Sequence, residues 1–320
     1  MLSLTYETDP VLHRTRPVVK VNSSSISLIQ LCKRKAHYVL NRELSSNEEN
    51  AATLFGSAIH KALEVWYCIP RDERRSSASN LASTGSCNTS SNNESARDKA
   101  MRGFNAVAQP LGTLDIGDKR HPYNGERILD TYFKKYADDP FEILIDEKGP
   151  VVERRLEAVL IDTPDLKIIY FGTVDCILKD VQTGVVLVTD HKTTSSLGSD
   201  FYNRLKPNFQ YCSYVWLAQQ DLGLDTNMFM VNGIQVAKTK VDLARQVVTY
   251  DECDMLEWKA AVEWNVREWL KANEAQNFIM STPDSCTMWG KCQFHDICAA
   301  PPMLKENMIS GMFKTTKELT

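Results

Sequence analysis

No stretch of this chain approaches the roughly 20 consecutive apolar residues that a membrane-spanning helix requires. The residues after Met1 are polar and lack the apolar core of a signal peptide. An intracellular, cytoplasmic protein with no membrane association is expected. Also missing is a glycine-rich phosphate loop ending in Gly-Lys-Ser/Thr, so the chain carries no helicase motor of its own. There is no bulk positive charge either: the formal net charge is -4, and any attraction for a polyanion must come from local patches. Lys33-Arg34-Lys35 forms one such patch and Arg71, Arg74 and Arg75 another, although a short basic run is as readily a solvated face. The nine cysteines are an odd number and cannot all pair, and structural disulfides are uncommon inside cells. What remains is an ordinary globular composition, 43% hydrophobic and 24% charged over 320 residues, enough for one large core or a core with smaller appended parts.

Four regions follow from the pattern along the chain. Residues 1–70 start extended, with Val18, Val19 and Val21. Ser23-Ser24-Ser25 then caps a helix predicted over Ile26–Leu40, and a second helix runs over Ala51–Tyr67 with Leu54, Phe55, Ala58, Ile59, Ala62, Leu63 and Trp66 at helical spacing. Residues 71–125 read as a Ser/Asn-rich insertion, mobile because the stretch from Ser76 to Ala96 has little to bury. Residues 126–250 hold a helix carrying Ile128, Leu129, Tyr132 and Phe133, strands over Phe141–Ile145, Val151–Leu160, Lys167–Leu178 and Val185–Asp190, a helix over 207–221, and a strand over Met228–Val236. Residues 251–320 give a helix with Trp258, Val262 and Trp269, then a cysteine-rich segment. This order fits an α/β fold, a central mixed β-sheet flanked by helices.

Chemistry concentrates where two apolar runs end on carboxylates. One is Tyr170-Phe171-Gly172-Thr173-Val174-Asp175. The other is Val185-Val186-Leu187-Val188-Thr189-Asp190, continued by His191 and Lys192. Strand alternation puts Asp190 and Lys192 on one side. Two carboxylates and an ammonium at a sheet end can hold a hard divalent metal beside a phosphate and a water. Gly56 and His60 share a helical face, where a glycine permits close approach of another segment and the imidazole is a ligand or a core histidine. Glu153 is an outer ligand, an orienter of metal-bound water, or half of a salt bridge. Gln210 and Tyr214 also share a helical face, for phosphate contacts or for packing.

Taken in order, Gly56-X-X-X-His60, Glu153, Gly172-X-X-Asp175, Asp190-X-Lys192 and Gln210-X-X-X-Tyr214 resemble the PD-(D/E)XK nuclease superfamily, in its RecB-, Cas4- and AddB-like branch with phage exonucleases. The resemblance implies a restriction-endonuclease-like core. It implies Asp175 and Asp190 as metal ligands, His60 and the backbone carbonyl of His191 as further ligands, and Mg2+ or Mn2+ as cofactor. It makes Asp175, Asp190, Lys192 and Glu153 the catalytic set. Lys192 would orient or deprotonate the attacking water, and Gln210, Tyr214, Lys33 and Arg34 would contact DNA.

Cys286, Cys292 and Cys298 follow a Cys-X5-Cys-X5-Cys spacing and need a fourth ligand, for which His295 and Cys32 are the candidates. Zinc and plain free thiols both remain open from spacing alone. The resemblance implies a [4Fe-4S] cluster on Cys32, Cys286, Cys292 and Cys298, joining the N- and C-terminal helical parts; the family's better-known members have Cys-X2-Cys where this chain has Cys-X5-Cys.

The expected function is therefore metal-dependent hydrolysis of DNA, as an exonuclease on single-stranded or end-bearing DNA in recombination or repair, with recombination or helicase proteins as partners. Two rival readings stand beside it. One is a non-catalytic DNA-binding or assembly module with the same fold. The other is a structural-cluster protein with no nucleic-acid role.

Overall fold

The computed structural model describes residues 2–8, 14–46, 50–79, 94–288 and 290–315. The principal elements, in chain order, are β1 (Ser3–Thr8), β2 (Thr15–Val21), α1 (Ser23–Leu31), α2 (Ala51–Cys68), α3 (Ala96–Ala108), α4 (Pro122–Tyr136), β3 (Phe141–Ile143), β4 (Val152–Thr163), β5 (Leu166–Asp180), β6 (Val186–Thr194), α5 (Phe209–Leu222), β7 (Met228–Gln235), β8 (Leu243–Thr249) and α6 (Glu252–Glu274). They fall into two compact units. One comprises Met1–Glu49, Glu157–Gly172 and Glu252–Thr320, the other Asn50–Leu156 and Thr173–Asp251. Among the described residues no helix is long and apolar enough to cross a membrane.

In the first unit β1 and β2 pair antiparallel, and β2 runs parallel to the start of β5, with Val18 opposite Lys167 and Val21 opposite Tyr170. Asn22, not the serine run, caps α1. Its side chain accepts from the Ser25 N–H while Ser25 Oγ accepts from the Asn22 N–H, a reciprocal capping box. The single helix predicted over Ile26–Leu40 is broken at Cys32, which takes an extended conformation. A short helical turn over Lys33–Ala36 and a π-helical turn over His37–Asn41 follow. The stripe on α6 is core, as its spacing suggests: Trp258, Val262 and Trp269 are buried, and Trp258 meets the ring of Tyr170 edge-on at 5.0 Å.

The second unit is a mixed sheet covered on both faces. β3 and β6 each pair antiparallel with β5, β6 is parallel to β7, and β7 is antiparallel to β8. Parallel neighbours need a crossover, and α5 lies in the chain between β6 and β7. Strand alternation separates the faces. Met230 of β7 joins a core with the apolar stripe of α2 and with α3 and α4, whereas its neighbour Phe229 stacks on Tyr211 of α5 at 4.4 Å. Residues 94–125, part of the 71–125 stretch expected to be mobile, include α3. That helix is capped by Ser95 and buries Ala100, Phe104 and Ala108 at successive helical turns. Residues 80–93, the richest in Ser and Asn, and Cys87 with them, lie outside the described residues. Strand β8 was not anticipated.

The contact between α3 and α4 depends on a glycine. A Cβ on Gly125 would fall 2.1 Å from the ring of Phe104, which is wholly buried. Overpacking of this kind costs about 1–3 kcal/mol. Gly125→Ala should lower the urea midpoint accordingly, and adding Phe104→Leu should restore part of the loss. Unchanged stability of the single variant would contradict this packing.

Candidate active site

Strand register brings the acidic residues together. Cys176 of β5 faces Thr189 of β6 in an antiparallel ladder, and extending that register by one residue sets Asp175 across from Asp190. The N–H of Ile177 donates to the carbonyl of Val151 at 3.0 Å. Glu153 lies two residues beyond Val151 and Asp175 two residues before Ile177, so both come to the same end of the sheet. His60 reaches this point from α2. Gly56, one turn earlier, passes so close to β6 that a Cβ there would lie 3.3 Å from Thr193 Oγ1, the close approach that a glycine permits. Ligand atoms of His60, Glu153 and Asp175 all lie within 4.8 Å of one another. This is the only such set of three or more His, Cys, Asp or Glu side chains among the described residues.

The electrostatics are those of a crowded acidic site. Burial first, and the facing Asp190 second, hold the Asp175 carboxyl well above the usual carboxylate range, although the His191 N–H donates to its Oδ2 at 2.7 Å. Burial and then Asp175 push Glu153 up to about 7. Glu153 also has a φ of 43°, a left-handed conformation that a non-glycine residue seldom adopts and that costs about 1–3 kcal/mol when it does. His60 Nδ1 is 3.3 Å from Asp175 Oδ2, yet burial lowers its pKa and favours the neutral imidazole that metals bind. Asp190 is almost fully buried. Its Oδ2 receives no directed hydrogen bond even though Lys192 Nζ stands 2.9 Å away. An under-satisfied carboxylate beside an oxygen- and imidazole-bearing trio is a donor set that suits Mg2+ or Mn2+.

Lys192 lies on the same side of β6 as Asp190, as alternation predicts. Its Nζ also reaches Gln210 Oε1 at 3.4 Å, and Gln210 Nε2 donates to the Tyr214 hydroxyl at 3.0 Å. The structure thus joins Lys192, Gln210 and Tyr214 in one chain of contacts. The adjoining cleft is about 560 Å3 and is lined by His60, Glu64, Glu153 and Lys192 among others.

A buried network beneath the site was not read from the sequence. In the parallel register His191 is opposite Asn232, and the Asn232 amide nitrogen lies 2.9 Å from His191 Nδ1. An amide nitrogen donates, so Nδ1 accepts and the ring proton sits on Nε2, 3.9 Å from Cys176 Sγ. Burial drives the His191 pKa well down, which keeps the ring neutral. Asn232 also donates to Tyr132, whose hydroxyl is 2.7 Å from that of Tyr67. Arg245 donates to Tyr67 at 2.6 Å and to Asp139 at 2.8 Å. Burial works against the Arg245 charge, but Tyr67, Tyr132 and Asp139 more than offset it. One signal was present: Asn232 is the lone polar side chain in the apolar run Met228–Ile234.

The cysteines behave differently. Cys32, Cys286, Cys292 and Cys298 are all half-buried and free. The Cys292 N–H donates to the Cys286 carbonyl at 2.8 Å, and Cys292 and Cys298 pack against an apolar cluster that includes Tyr38 and Phe294. Burial pushes the Cys298 thiol up, Arg34 opposes this, and nearby Cys32 and Cys292 add to it. Among the described residues no three of them come within the spacing a single ion needs, and no cysteine cluster joining the terminal parts is evident. His295, the zinc candidate, instead pairs with Asp296 at 3.4 Å. The neighbouring basic patch is occupied as well. Lys33 pairs with Glu268 at 3.0 Å, and Arg34 Nε donates to the Phe278 carbonyl.

Raised carboxyl pKa values make metal binding compete with protons. Calorimetric titration with Mn2+ should show affinity rising ~10-fold or more between about pH 6 and pH 8, as protonated Glu153 and Asp175 give up their protons. Glu153→Gln should flatten the rise and lower the protons released per ion. Affinity independent of pH, with no proton release, would sink the assignment of these carboxyls to one ion.

No curated protein matches the chain. Among solved structures it is similar to a protein of Eubacterium rectale provisionally named an exonuclease, at 14% identity and a TM-score of 0.47 over 85% of this chain and 86% of that one. It is also similar to the protein SSO0001, at 11% identity and a TM-score of 0.32 over 79% and 95%. Likeness at that distance says nothing of activity. The family model of the PD-(D/E)XK nuclease superfamily is different in weight, matching residues 20–299 and so taking in the whole acidic site and its sheet. The chain belongs to the PD-(D/E)XK nuclease superfamily.

Proposed function

We propose that the protein is a metal-dependent deoxyribonuclease that hydrolyses phosphodiester bonds, acting as an exonuclease on single-stranded or end-bearing DNA. The observation that carries this reading is the meeting of His60, Glu153 and Asp175 within 4.8 Å beside the Asp190–Lys192 pair. Those residues would hold a divalent ion, with the His191 carbonyl as a further ligand, and the ion would supply Lewis-acid polarisation of a phosphate and its attacking water. The rest falls to the chain's own groups. The Lys192 ammonium, held by Asp190 and Gln210, orients the water and balances charge that develops on the phosphate. Gln210 keeps Lys192 aimed into the cleft, and Tyr214 fixes the Gln210 amide. Glu153 is the inner ligand of this reading, promoted from an outer role. Lys33 and Arg34 have partners within their own unit, so the DNA path is proposed along Lys192, Gln210 and Tyr214. A RecB-like setting in recombination or repair, with helicase partners, accords with this chemistry.

The test is direct. Protein with Mn2+ or Mg2+ should degrade single-stranded or end-bearing DNA, and a chelator should stop it. Asp190→Ala should reduce turnover by ~100-fold or more, in the range lost with electrostatic groups in other active sites, while DNA binding and thermal stability change little. Full cleavage by that variant would refute the assignment. Robust DNA binding without cleavage under either metal would favour a non-catalytic module.

A [4Fe-4S] cluster on Cys32, Cys286, Cys292 and Cys298 belongs to the same proposal. What supports it is the resemblance to cluster-bearing relatives and the nearness of Cys32 and Cys292 to Cys298, whose thiol both push up. The cluster would be a structural tie within the first unit. Anaerobically purified protein should be brown and contain about four irons, and Cys292→Ser should bleach it. One zinc and no iron would defeat the cluster and leave the nuclease reading intact.

A further inference from the structure

The acidic cleft has a basic neighbour. A second cavity of about 260 Å3 shares Ala52 and Thr193 with the cleft. Its polar wall is Lys119, Arg120, Thr193, Thr194 and Ser195, and no carboxylate lines it. The first cavity mixes both signs, with Glu64 and Glu153 against Lys61 and Lys192, whereas the charged side chains lining the second are Lys119 and Arg120 alone. Strand β6 and its continuation link them: Lys192 serves the first, Thr193 both, and Thr194 and Ser195 the second. Ala52 stands in the first turn of α2, where the helix dipole presents its positive end.

The backbone that carries the two cations is a pre-formed loop. Asp118 Oδ1 accepts from the Arg120 N–H at 2.7 Å, the Asn124 side chain donates to the Lys119 carbonyl at 2.6 Å, and Asn124 also donates to the Ala237 carbonyl at 3.2 Å. The backbone part of the ordering cost is thus met before a ligand arrives, which leaves only the two side chains to be ordered. The nearby acid Asp115 is turned to its own loop, accepting from the Gly117 N–H.

We infer that this second cavity is a phosphate subsite for a nucleic-acid strand, in which Lys119 and Arg120 take a phosphodiester neighbouring the one that reaches the acidic cleft. The inference rests on the nuclease reading for its polarity, but it predicts binding on its own. Phosphate contacts position a strand without reading its bases, so the subsite serves DNA and RNA alike; discrimination between them would lie elsewhere.

The test uses the full chain and the double variant Lys119→Gln/Arg120→Gln. Fluorescence anisotropy with a labelled single strand, as DNA and as RNA, should show binding weakened ~10-fold for both. The slope of log affinity against log salt should fall by about 0.7 for each phosphate that the variant no longer neutralises. In the cleavage arm, the loss in kcat/KM on a long oligonucleotide should exceed the loss on bis(p-nitrophenyl) phosphate by ~10-fold. A variant that binds and cleaves like the parent overturns the subsite, and so does an equal loss on both substrates. If the parent cleaves nothing, the nuclease reading fails, and the anisotropy arm alone decides: unchanged affinity and salt slope refute the subsite, and weakened ones support it.

Discussion

Carboxyl groups packed into a dry corner of a sheet repel one another, and the second unit is organised around that repulsion. Two like charges about 4 Å apart near a protein surface cost on the order of 4 kcal/mol. Asp175, Asp190 and Glu153 meet this in several ways. Asp175 and Glu153 are driven toward the protonated form, Asp190 leans on Lys192, and the His191 amide donates to Asp175. Glu153 even accepts an unfavourable backbone angle to stay in place. Strain and displaced pKa values of this kind gather at sites that bind or react.

Much of that site is legible in the sequence. Two apolar runs end visibly on Asp175 and Asp190, and period-two alternation is enough to put Lys192 beside Asp190. Helical spacing is enough for Gly56 with His60 and for Gln210 with Tyr214. The place of Glu153 is not legible in the same way. It depends on the pairing of Val151 with Ile177, which no local pattern specifies. Strand β8 was missed because Leu243–Thr249 mixes Arg245 and Gln246 with short apolar residues, and its pairing with β7 decides the matter instead of its propensity. Helix α3 was hidden by the Ser/Asn-rich stretch before it, although Ala100, Phe104 and Ala108 carry the correct period. The break at Cys32 had no turn residue to announce it.

A run of charge in the sequence does not say what the charges meet. Lys33 and Arg34 look like a polyanion contact in the sequence, yet a salt bridge to Glu268 and a carbonyl at Phe278 occupy them. Lys119 and Arg120 belong to no motif and are separated from the catalytic motifs by dozens of residues, so only the folded chain brings them beside Thr193. Basic residues acquire meaning from the shape they line, and shape is a tertiary property.

The contact between His191 and Asn232 has a consequence for how this chain can change over time. Each residue satisfies a buried atom of the other across two parallel strands. Replacing either alone strands a polar group, at a cost of about 1–3 kcal/mol. The position between Asp190 and Lys192 is therefore not free to drift. A lineage that alters it must pass through a less stable intermediate or change a neighbouring strand in the same step, so the two positions are inherited as a pair.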